Sequence, residues 1–377
     1  MIKIITDIIA IITVFQLILF ALFLLVGIKE RGFDKTTLAF FLLANGFFIL
    51  NFLAFRYSTE ILPYTVNLFF IGGSFGFLFG PLLYLYTKAV TSKEFSFTKK
   101  DILHFVPFLL VFCLTLIRFQ FQAYETKIEL LNTGLYSKTS SIIYLALMHI
   151  TILVYLLNAF FIVRNKNQNL KGYYSSLEKI NYDWLKLVVS AFFIMWIVDI
   201  INWVTGSLGI NSPTLREYLT FISLFINFVF ANLLIIKNLH LPETEPAAEI
   251  HKYEKSPLTL QTKTEILARL ERLMTQEKLY LNSSLNLGEV AHKLSVVPRY
   301  LSQVINELKA KNFYDYVNGY RIDEAKKLLS DPTHNSEKIL SVLYDCGFNS
   351  KSVFNTVFKK NTGLTPSEFR RKYKRSA

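Results

Sequence analysis

The stretch KILSVLYDCGFNSKSVFNTVFKKNTGLTPSEFRRKY, residues 338–373, decides the fold of the C-terminal third of the chain. It predicts a helix, a tight turn at Gly347, a second helix that starts near Ser350, and a third short helix after Gly363. Glycine adopts positive φ without a Cβ penalty, and serine is a favoured N-cap. The apolar residues of the second helix recur at helical spacing: Val353, Phe354, Val357 and Phe358. The pattern is typical of a helix-turn-helix motif.

The other face of this second helix is polar. It carries Lys351, Ser352, Asn355, Thr356 and Lys359. A short surface of hydrogen-bonding side chains of this size fits the major groove of DNA. After the helix, Thr365-Pro366-Ser367-Glu368 has the pattern of a capping box with proline at the first helical position.

These motifs closely resemble the second helix-turn-helix of the AraC-type transcription regulators. The residues that carry the resemblance are Asp345-Cys346-Gly347-Phe348, Val357-Phe358-Lys359-Lys360 and Gly363-Leu364-Thr365-Pro366-Ser367-Glu368-Phe369-Arg370. The match covers roughly the last 110 residues of the chain. It departs from the family at Leu343, where a small alanine is usual.

A first helix-turn-helix precedes this one, at about residues 285–308. Ser295-Val296-Val297 forms its turn, where the family usually has glycine, and Pro298 opens its second helix. A connecting helix is expected over residues 313–330, and the second motif over about 338–360. The run Tyr320-Arg321-Ile322-Asp323-Glu324-Ala325-Lys326-Lys327-Leu328-Leu329 resembles the family's linker helix.

The resemblance implies which residues face DNA bases. Those of the first motif are Arg299, Ser302 and Gln303, which with Asn306 are expected to point outward. Those of the second are Lys351, Ser352, Asn355 and Thr356. From Lys263 onward the chain has 20 Lys and Arg against 12 Asp and Glu, and this positive charge suits a phosphate backbone.

The N-terminal part predicts a membrane bundle. Seven apolar runs have nearly the length that spans a bilayer, at about 4–28, 36–56, 61–87, 101–121, 139–163, 184–206 and 215–237. The first run is too long for a signal peptide and lacks a small-residue cleavage site, so it is interpreted as a retained span. The predicted fold is all-α: a seven-helix transmembrane bundle followed by a cytoplasmic domain with two helix-turn-helix motifs joined by a linker helix.

The positive charges of the loops predict the orientation. The loops at 29–35, 88–100 and 164–183 carry eleven Lys and Arg, and the alternate loops carry five. Lys and Arg concentrate in cytoplasmic loops, so the N-terminus is expected outside the inner membrane and the C-terminus in the cytoplasm.

Polar residues within the spans suggest either a ligand pocket open to the outside or structural contacts between helices. They are His149, Asp199 and Asn202. An acidic group at this depth is costly and normally faces a partner or a water-filled cavity. Gly72, Gly76 and Gly80 form a stripe of small residues for close helix packing.

The expected domains are a sensor or anchor at 1–238, a proline-containing flexible linker at 239–262, and a DNA-binding domain at 263–377. The amphipathic helix at 263–278 either pairs two chains or packs on the domain that follows, and packing is favoured. Two cysteines, Cys113 and Cys346, give no disulfide framework and no metal-site spacing.

Three functions fit the sequence. A membrane-anchored regulator that couples a signal to promoter binding is preferred. A membrane enzyme or transporter with an appended DNA-binding module, and an anchor that holds DNA without regulating, are the alternatives. No cofactor, metal site or catalytic residue is expected. The expected partners are double-stranded DNA, the lipid bilayer, RNA polymerase, a second copy of the chain, and an unidentified small-molecule or membrane signal.

Overall fold

The computed structural model describes residues 1–27, 32–92, 95–135, 138–177, 182–208, 210, 212–240, 258–334 and 337–374. The chain divides into two compact units, one of residues 1–164 and 182–246, the other of residues 165–181 and 247–377. Among the described residues all regular structure is helical, apart from one isolated antiparallel bridge between Tyr174 and Asn286. The all-α prediction is confirmed.

The described residues of the first unit form nine α-helices, and the seventh of them extends into the second unit. They are α1 (Ile2–Leu22), α2 (Phe33–Arg56), α3 (Ser58–Ile61), α4 (Gly76–Thr91), α5 (Val106–Thr115), α6 (Tyr124–Thr133), α7 (Lys138–Tyr173), α8 (Asp183–Ser207) and α9 (Pro213–His240). Turns of π-helix extend α1 over Phe23–Gly27 and α5 over Leu116–Gln120. Helix α2 packs against α1 and α4, and α9 packs against α1 and α8.

Six helical segments of the described residues are long and apolar enough to cross a membrane: Ile2–Val26, Phe33–Arg56, Asp101–Gln120, Thr139–Tyr173, Asp183–Ser207 and Pro213–Ile236. Each overlaps one of the predicted runs. The remaining run, at 61–87, is divided: a 3₁₀ segment at Ile71–Phe75 leads into α4, which has 16 residues. The predicted count of seven is therefore approximate.

The glycine stripe lies where helices approach closely. A Cβ on Gly76 would lie 2.5 Å from the sulfur of Met148, and one on Gly80 would lie 2.9 Å from the ring of Tyr155. At Gly72 a Cβ would lie 2.4 Å from the carbonyl oxygen of Phe47. Side chains at these positions would push α2 and α7 away, so the predicted packing role is confirmed.

An ion cluster joins three helix ends of the first unit. The Arg56 guanidinium, at the end of α2, contacts Asp7 near the start of α1 and lies 2.8 Å from a Glu217 oxygen near the start of α9. The Tyr57 hydroxyl donates to Asp7 over 2.7 Å. The cluster brings the N-terminal ends of α1 and α9 together with the C-terminal end of α2, as alternating helix directions require.

Where the structure describes it, the second unit contains the end of α7 and seven further α-helices. They are α10 (Leu260–Gln276), α11 (Leu287–Lys293), α12 (Pro298–Lys309), α13 (Phe313–Ser330), α14 (Ile339–Asp345), α15 (Lys351–Thr362) and α16 (Pro366–Lys374). Helices α11 and α12 are separated by a short turn, as are α14 and α15, and α13 lies between these two pairs.

Two apolar clusters form the core of this unit. The first surrounds α11 and α12, and the second surrounds α14 and α15. Leu343 is fully buried in the second cluster, so the larger side chain is accommodated there. Helix α13 contributes Phe313 and Val317 to the first cluster and Ala325 and Leu329 to the second. The connecting helix therefore belongs to both cores.

Helix α10 covers the first cluster rather than standing free. Ile266, Leu270 and Met274 are buried against it, with Leu267 and Leu273 partly buried. This agrees with the favoured interpretation, packing on the domain. Most of the predicted linker lies outside the described residues, which resume at 258.

Candidate nucleic-acid interface and bundle cavity

The second helix-turn-helix, α14 and α15, is held by a turn that requires glycine. Gly347 has φ of +82°, and a Cβ there would lie 2.6 Å and 2.7 Å from the carbonyl oxygens of Tyr280 and Leu281. Ser350 caps α15 by accepting a hydrogen bond from the Val353 amide over 3.4 Å. These local contacts fix where α15 begins and which face it turns inward.

Three of the four predicted base-facing residues of α15 are exposed. Lys351, Ser352 and Thr356 are exposed, and Asn355 is half-buried. Phe354 and Phe358, on the opposite face, are fully buried. The short exposed face has the polar character that the sequence predicts, and nothing within the unit's described residues covers it.

The first helix-turn-helix, α11 and α12, has a different turn. Ser295 occupies it with φ of +54°, the left-handed conformation that glycine adopts most easily. Pro298 opens α12 as predicted, and its N-cap residue, Val297, makes no side-chain capping bond. The serine keeps the backbone conformation expected of the glycine it replaces.

The exposure predicted for α12 needs correction. Arg299 and Asn306 are exposed, but Ser302 and Gln303 are buried, with exposed fractions of 7% and 8%. The sequence spacing placed all four on one outward face. Burial differs because α10 packs against α12 and widens the covered part of its surface.

Helix α10 also forms ion pairs with α12. The Lys263 ammonium lies 2.8 Å from one Glu307 oxygen, and the Gln303 side-chain amide donates to the other over 2.8 Å. The hydrogen bond from Lys263, assisted by that from Gln303, lowers the pKa of Glu307. Gln303 is thus engaged within the unit, whereas Arg299 lies free of this network, over the ring of Tyr300.

Between the motifs, α13 carries a buried arginine that sequence reasoning did not single out. Arg321 is 1% exposed. Its guanidinium donates to the carbonyls of Tyr280 and Asn282 over 2.7 and 2.8 Å, and to the Asn318 side chain over 3.1 Å. The spacing of Val317, Arg321 and Ala325 by four residues already places it on the buried stripe.

Cys346, in the turn of the second motif, is fully buried. Burial raises the pKa of its thiol to about 12. A thiol in this state is protonated at neutral pH and behaves as a small apolar side chain.

The three predicted ligand residues line one cavity in the first unit. Its volume is about 820 Å³, and His149, Asp199 and Asn202 all contribute to its wall. This volume lies within the range of roughly 300 to 1,000 Å³ that is usual for small-molecule sites. Aromatic side chains form much of the remaining wall: Phe48, Phe52, Phe79, Phe192, Trp196 and Trp203.

Polar groups of the cavity wall are only partly satisfied. Asp199 accepts a hydrogen bond from Ser223 over 2.6 Å, which joins α8 to α9. Four other wall side chains have a buried polar atom with no hydrogen-bond partner in the described part of the chain: His149 Nδ1, Trp196 Nε1, Trp203 Nε1 and Asn227 Oδ1. Both hypotheses for Asp199, a structural contact between helices and a ligand pocket, thus have support, because Asp199 accepts a hydrogen bond from another helix and also lines the cavity.

Some cavity residues were not predicted. Asn227 and Ser223 lie in α9, and Arg216 lies near its start. A polar amide within an apolar helix is a signal that the sequence offered for Asn227. The sequence does not indicate that these residues of α9 meet His149 of α7, since that proximity depends on how the helices pack.

Comparison with known proteins supports the assignment of the C-terminal part. Residues 290–372 match the family model described as "Helix-turn-helix domain". This range includes most of α11 and all of α12 to α15. No solved structure matches the chain.

Two similar curated proteins are named as regulators. The uncharacterized HTH-type transcriptional regulator YijO of Escherichia coli (strain K12) is 36% identical over 91 residues, which is 24% of this chain and 31% of that protein. The HTH-type transcriptional activator RhaR of Yersinia pseudotuberculosis is 27% identical over 108 residues, 29% of this chain and 36% of that protein. The chain thus spans about a third of the length of these relatives.

Proposed function

We propose that this protein is a membrane-bound transcription regulator of the AraC type that couples a signal at the membrane to promoter binding. The match of residues 290–372 to a helix-turn-helix family model and the similar proteins named as transcriptional regulators support this proposal. The observation that carries the proposal is the pair of helix-turn-helix motifs on one connecting helix, behind six apolar helices. The proposed parts are the sensor at 1–238, the linker at 239–262 and the DNA-binding domain at 263–377.

DNA recognition is assigned to the second helix of each motif. Lys351, Ser352 and Thr356 on α15, with Asn355 beside them, read base edges in one major groove. Arg299 reads the next groove from α12, and Ser302 and Gln303 act there once they become accessible. Arginine and lysine favour guanine, and asparagine and glutamine favour adenine, because these pairs form complementary hydrogen bonds.

Genome-wide mapping of bound DNA tests this assignment. The full-length protein is expected to occupy discrete promoters, and deletion of the gene is expected to change transcription from them. Occupancy without sequence preference, or unchanged transcription on deletion, would instead support an anchor that holds DNA without regulating. A turnover or flux measured for the apolar part would support a membrane enzyme or transporter.

The membrane location rests on apolar surface. Phe15, Leu110 and Ile150, on three of the spanning-length helices, are each more than half exposed. Exposure of such apolar surface is unfavourable in water but not in the hydrocarbon core of a bilayer. The helical backbone also satisfies its own hydrogen bonds, as a membrane-spanning segment must. We propose insertion in the inner membrane with the lipid bilayer against these faces, the N-terminus outside and the C-terminal domain in the cytoplasm. Opposite sides for the two termini require an odd number of crossings, so the divided run at 61–87 is proposed to cross as well, as the seventh span.

Two observations support this orientation. Positive charge is concentrated in the loops at 29–35, 88–100 and 164–183. In addition, residues 165–181, from one of these loops, belong to the same compact unit as the DNA-binding helices. A topology reporter fused after Ala377 is expected to report the cytoplasmic side, and an outside signal would overturn the proposal.

The cavity in the bundle is the proposed signal site. We assign it an apolar small molecule that carries at least one hydrogen-bond acceptor, since the walls are aromatic and the indole groups of Trp196 and Trp203 can only donate. His149, Asp199 and Asn202 supply the other polar contacts.

Substitution of Asp199 by asparagine tests the signal site. At equal membrane abundance, D199N is expected to alter the regulatory response of a target promoter, because the exchange keeps the shape and removes the charge. An unchanged response would leave Asp199 as a structural partner of Ser223 alone. Basal DNA binding, measured in the same strains, separates a sensing defect from a folding defect.

A further inference from the structure

We infer that residues 165–175, at the end of α7 and just beyond it, are a docking segment that the DNA-binding domain needs for its own fold and through which the membrane bundle acts on it. The inference rests on the proposed function, and it names the contact by which a signal reaches DNA. The predicted domains placed residues 165–175 in the sensor or anchor at 1–238.

The docking segment belongs to the second unit by its contacts. Helix α7 is continuous from Lys138 to Tyr173, yet the chain from Asn165 onward groups with the C-terminal unit. Tyr173 packs against the apolar cluster around α11 and α12. Tyr174 forms an antiparallel bridge with Asn286, the N-cap of α11. One helix is thus shared between the apolar bundle and the domain.

Ser175 makes the central contact. It is 1% exposed, and its amide and hydroxyl both donate to the carbonyl of Leu285, over 3.1 and 2.6 Å. Its own carbonyl accepts from Arg321 over 3.1 Å and from the Asn318 side chain over 3.3 Å. Its hydroxyl oxygen accepts a further bond from Arg321 over 3.1 Å.

These contacts supply part of the hydrogen bonding of Arg321. A guanidinium has five N–H donors, and two of the hydrogen bonds that Arg321 donates to described residues go to Ser175. Withdrawal of the segment would leave two donors of a buried cation without these partners, which is unfavourable in a dry interior. The site around Arg321 is therefore incomplete without residue 175.

The position of Arg321 gives the contact a consequence for DNA binding. Arg321 lies in α13, which joins the two motifs, and it fixes the carbonyls of Tyr280 and Asn282. The same Tyr280 carbonyl lies against the turn of the second motif at Gly347. Displacement of Ser175 would loosen these contacts, so the docked segment favours the arrangement in which both motifs engage DNA.

The fit on the domain side is close. A Cβ on Gly288 would lie 2.5 Å from the Tyr173 hydroxyl, whereas a Cβ on Gly172, on the same helix as Tyr173, would meet nothing within 4 Å. The surface of α11 is thus shaped to this side chain of the segment.

The test compares two adjacent serines in the full-length protein in lipid nanodiscs. S175K places a positive charge beside the Arg321 guanidinium and removes the shared hydroxyl. S176K places the same charge at the half-buried neighbour and serves as the control. S175A and S176A form a second, milder pair in case S175K does not accumulate.

Hydrogen–deuterium exchange of the peptide that contains residue 175 is expected to accelerate in S175K by about tenfold, the factor that corresponds to about 1.4 kcal/mol. S176K is expected to match the wild type. Affinity for a promoter fragment obtained by genome mapping is expected to fall by a similar factor in S175K alone.

Two results would overturn the inference. Unchanged exchange in S175K and S175A would show that the segment is not docked. Faster exchange with unchanged DNA affinity and reporter output would show that docking carries no signal. If the wild-type protein binds no DNA, the proposed function fails, while the exchange measurement still decides whether the segment docks.

Discussion

The two helix-turn-helix motifs share a backbone plan but differ in how their second helices are presented. In α15 the predicted base-facing residues are exposed or half-buried, whereas in α12 Ser302 and Gln303 are buried. The turn of the second motif contains Gly347, which lies close to two backbone carbonyl oxygens. The turn of the first motif contains Ser295 in the left-handed conformation, which is unfavourable for a residue with a Cβ. The comparison shows that two motifs with the same arrangement of helices and turn can differ in how exposed their predicted DNA-facing residues are.

The largest expected difference concerns the turns. Gly347→Ala should destabilise the DNA-binding domain by about 3 to 5 kcal/mol, because positive φ and a backbone clash add together. Gly363→Ala is the matched control, since Gly363 has φ of +77° and open space around it. It should cost only about 1 to 2 kcal/mol. Thermal unfolding measures both, and equal losses would remove the clash from the explanation.

The next effect concerns DNA recognition. Asn355→Ala should cost about 1 to 3 kcal/mol of binding free energy and relax the preference at one base pair. Gln303→Ala should cost less, because Gln303 is buried and bonded to Glu307. Binding measured against a library of single-base variants tests the pair. An equal loss of preference would mean that α12 becomes exposed when DNA binds.

A smaller effect concerns helix capping. Ser350→Ala should destabilise the domain by about 1 kcal/mol because it removes the cap of α15. Val297→Ser should raise the stability of the domain, because a serine at the N-cap of α12 can accept the capping hydrogen bond that valine cannot. Chemical denaturation of the two variants checks the sign as well as the size, and two losses would contradict the assigned cap positions.

The smallest effect concerns the turn of the first motif. Ser295→Gly should raise stability by up to about 1 kcal/mol, since relief of the left-handed conformation is partly offset by the freer unfolded chain. Ala310→Gly, at a residue with φ of +52°, provides a second site of the same geometry. A loss of stability at both would show that these residues are not strained.

The C-terminal domain could be predicted in detail because its signals are local. Ser350 as N-cap, Gly347 and Gly363 at positive φ, Pro298 at a helix start and the bounds of α13 all depend on neighbours within a few residues. The capping box was equally accessible, and the Thr365 amide and hydroxyl each lie 2.8 Å from a Glu368 oxygen. Most of the apolar spans were evident for the same reason, since length and composition define them.

Contacts between distant parts of the chain could not be predicted. The burial of Ser302 and Gln303 is one example, since α10 packs against α12 from elsewhere in the chain. The division of the run at 61–87 is a different case, because Gly72-Gly73-Ser74 at the break is a local signal that the count of apolar runs passed over. The cavity wall combines His149 of α7 with Asn227 of α9, a proximity that only helix packing creates.

The sequence by itself determined that this protein is all-α, with spans of membrane length and two helix-turn-helix motifs, since hydrophobic periodicity and turn residues can be identified from neighbours along the chain. The tertiary structure alone decided that Arg321 donates hydrogen bonds to Ser175, across 146 positions of sequence. Hydrogen bonds between such distant residues follow no sequence period, because they exist only once the helices that carry them have packed.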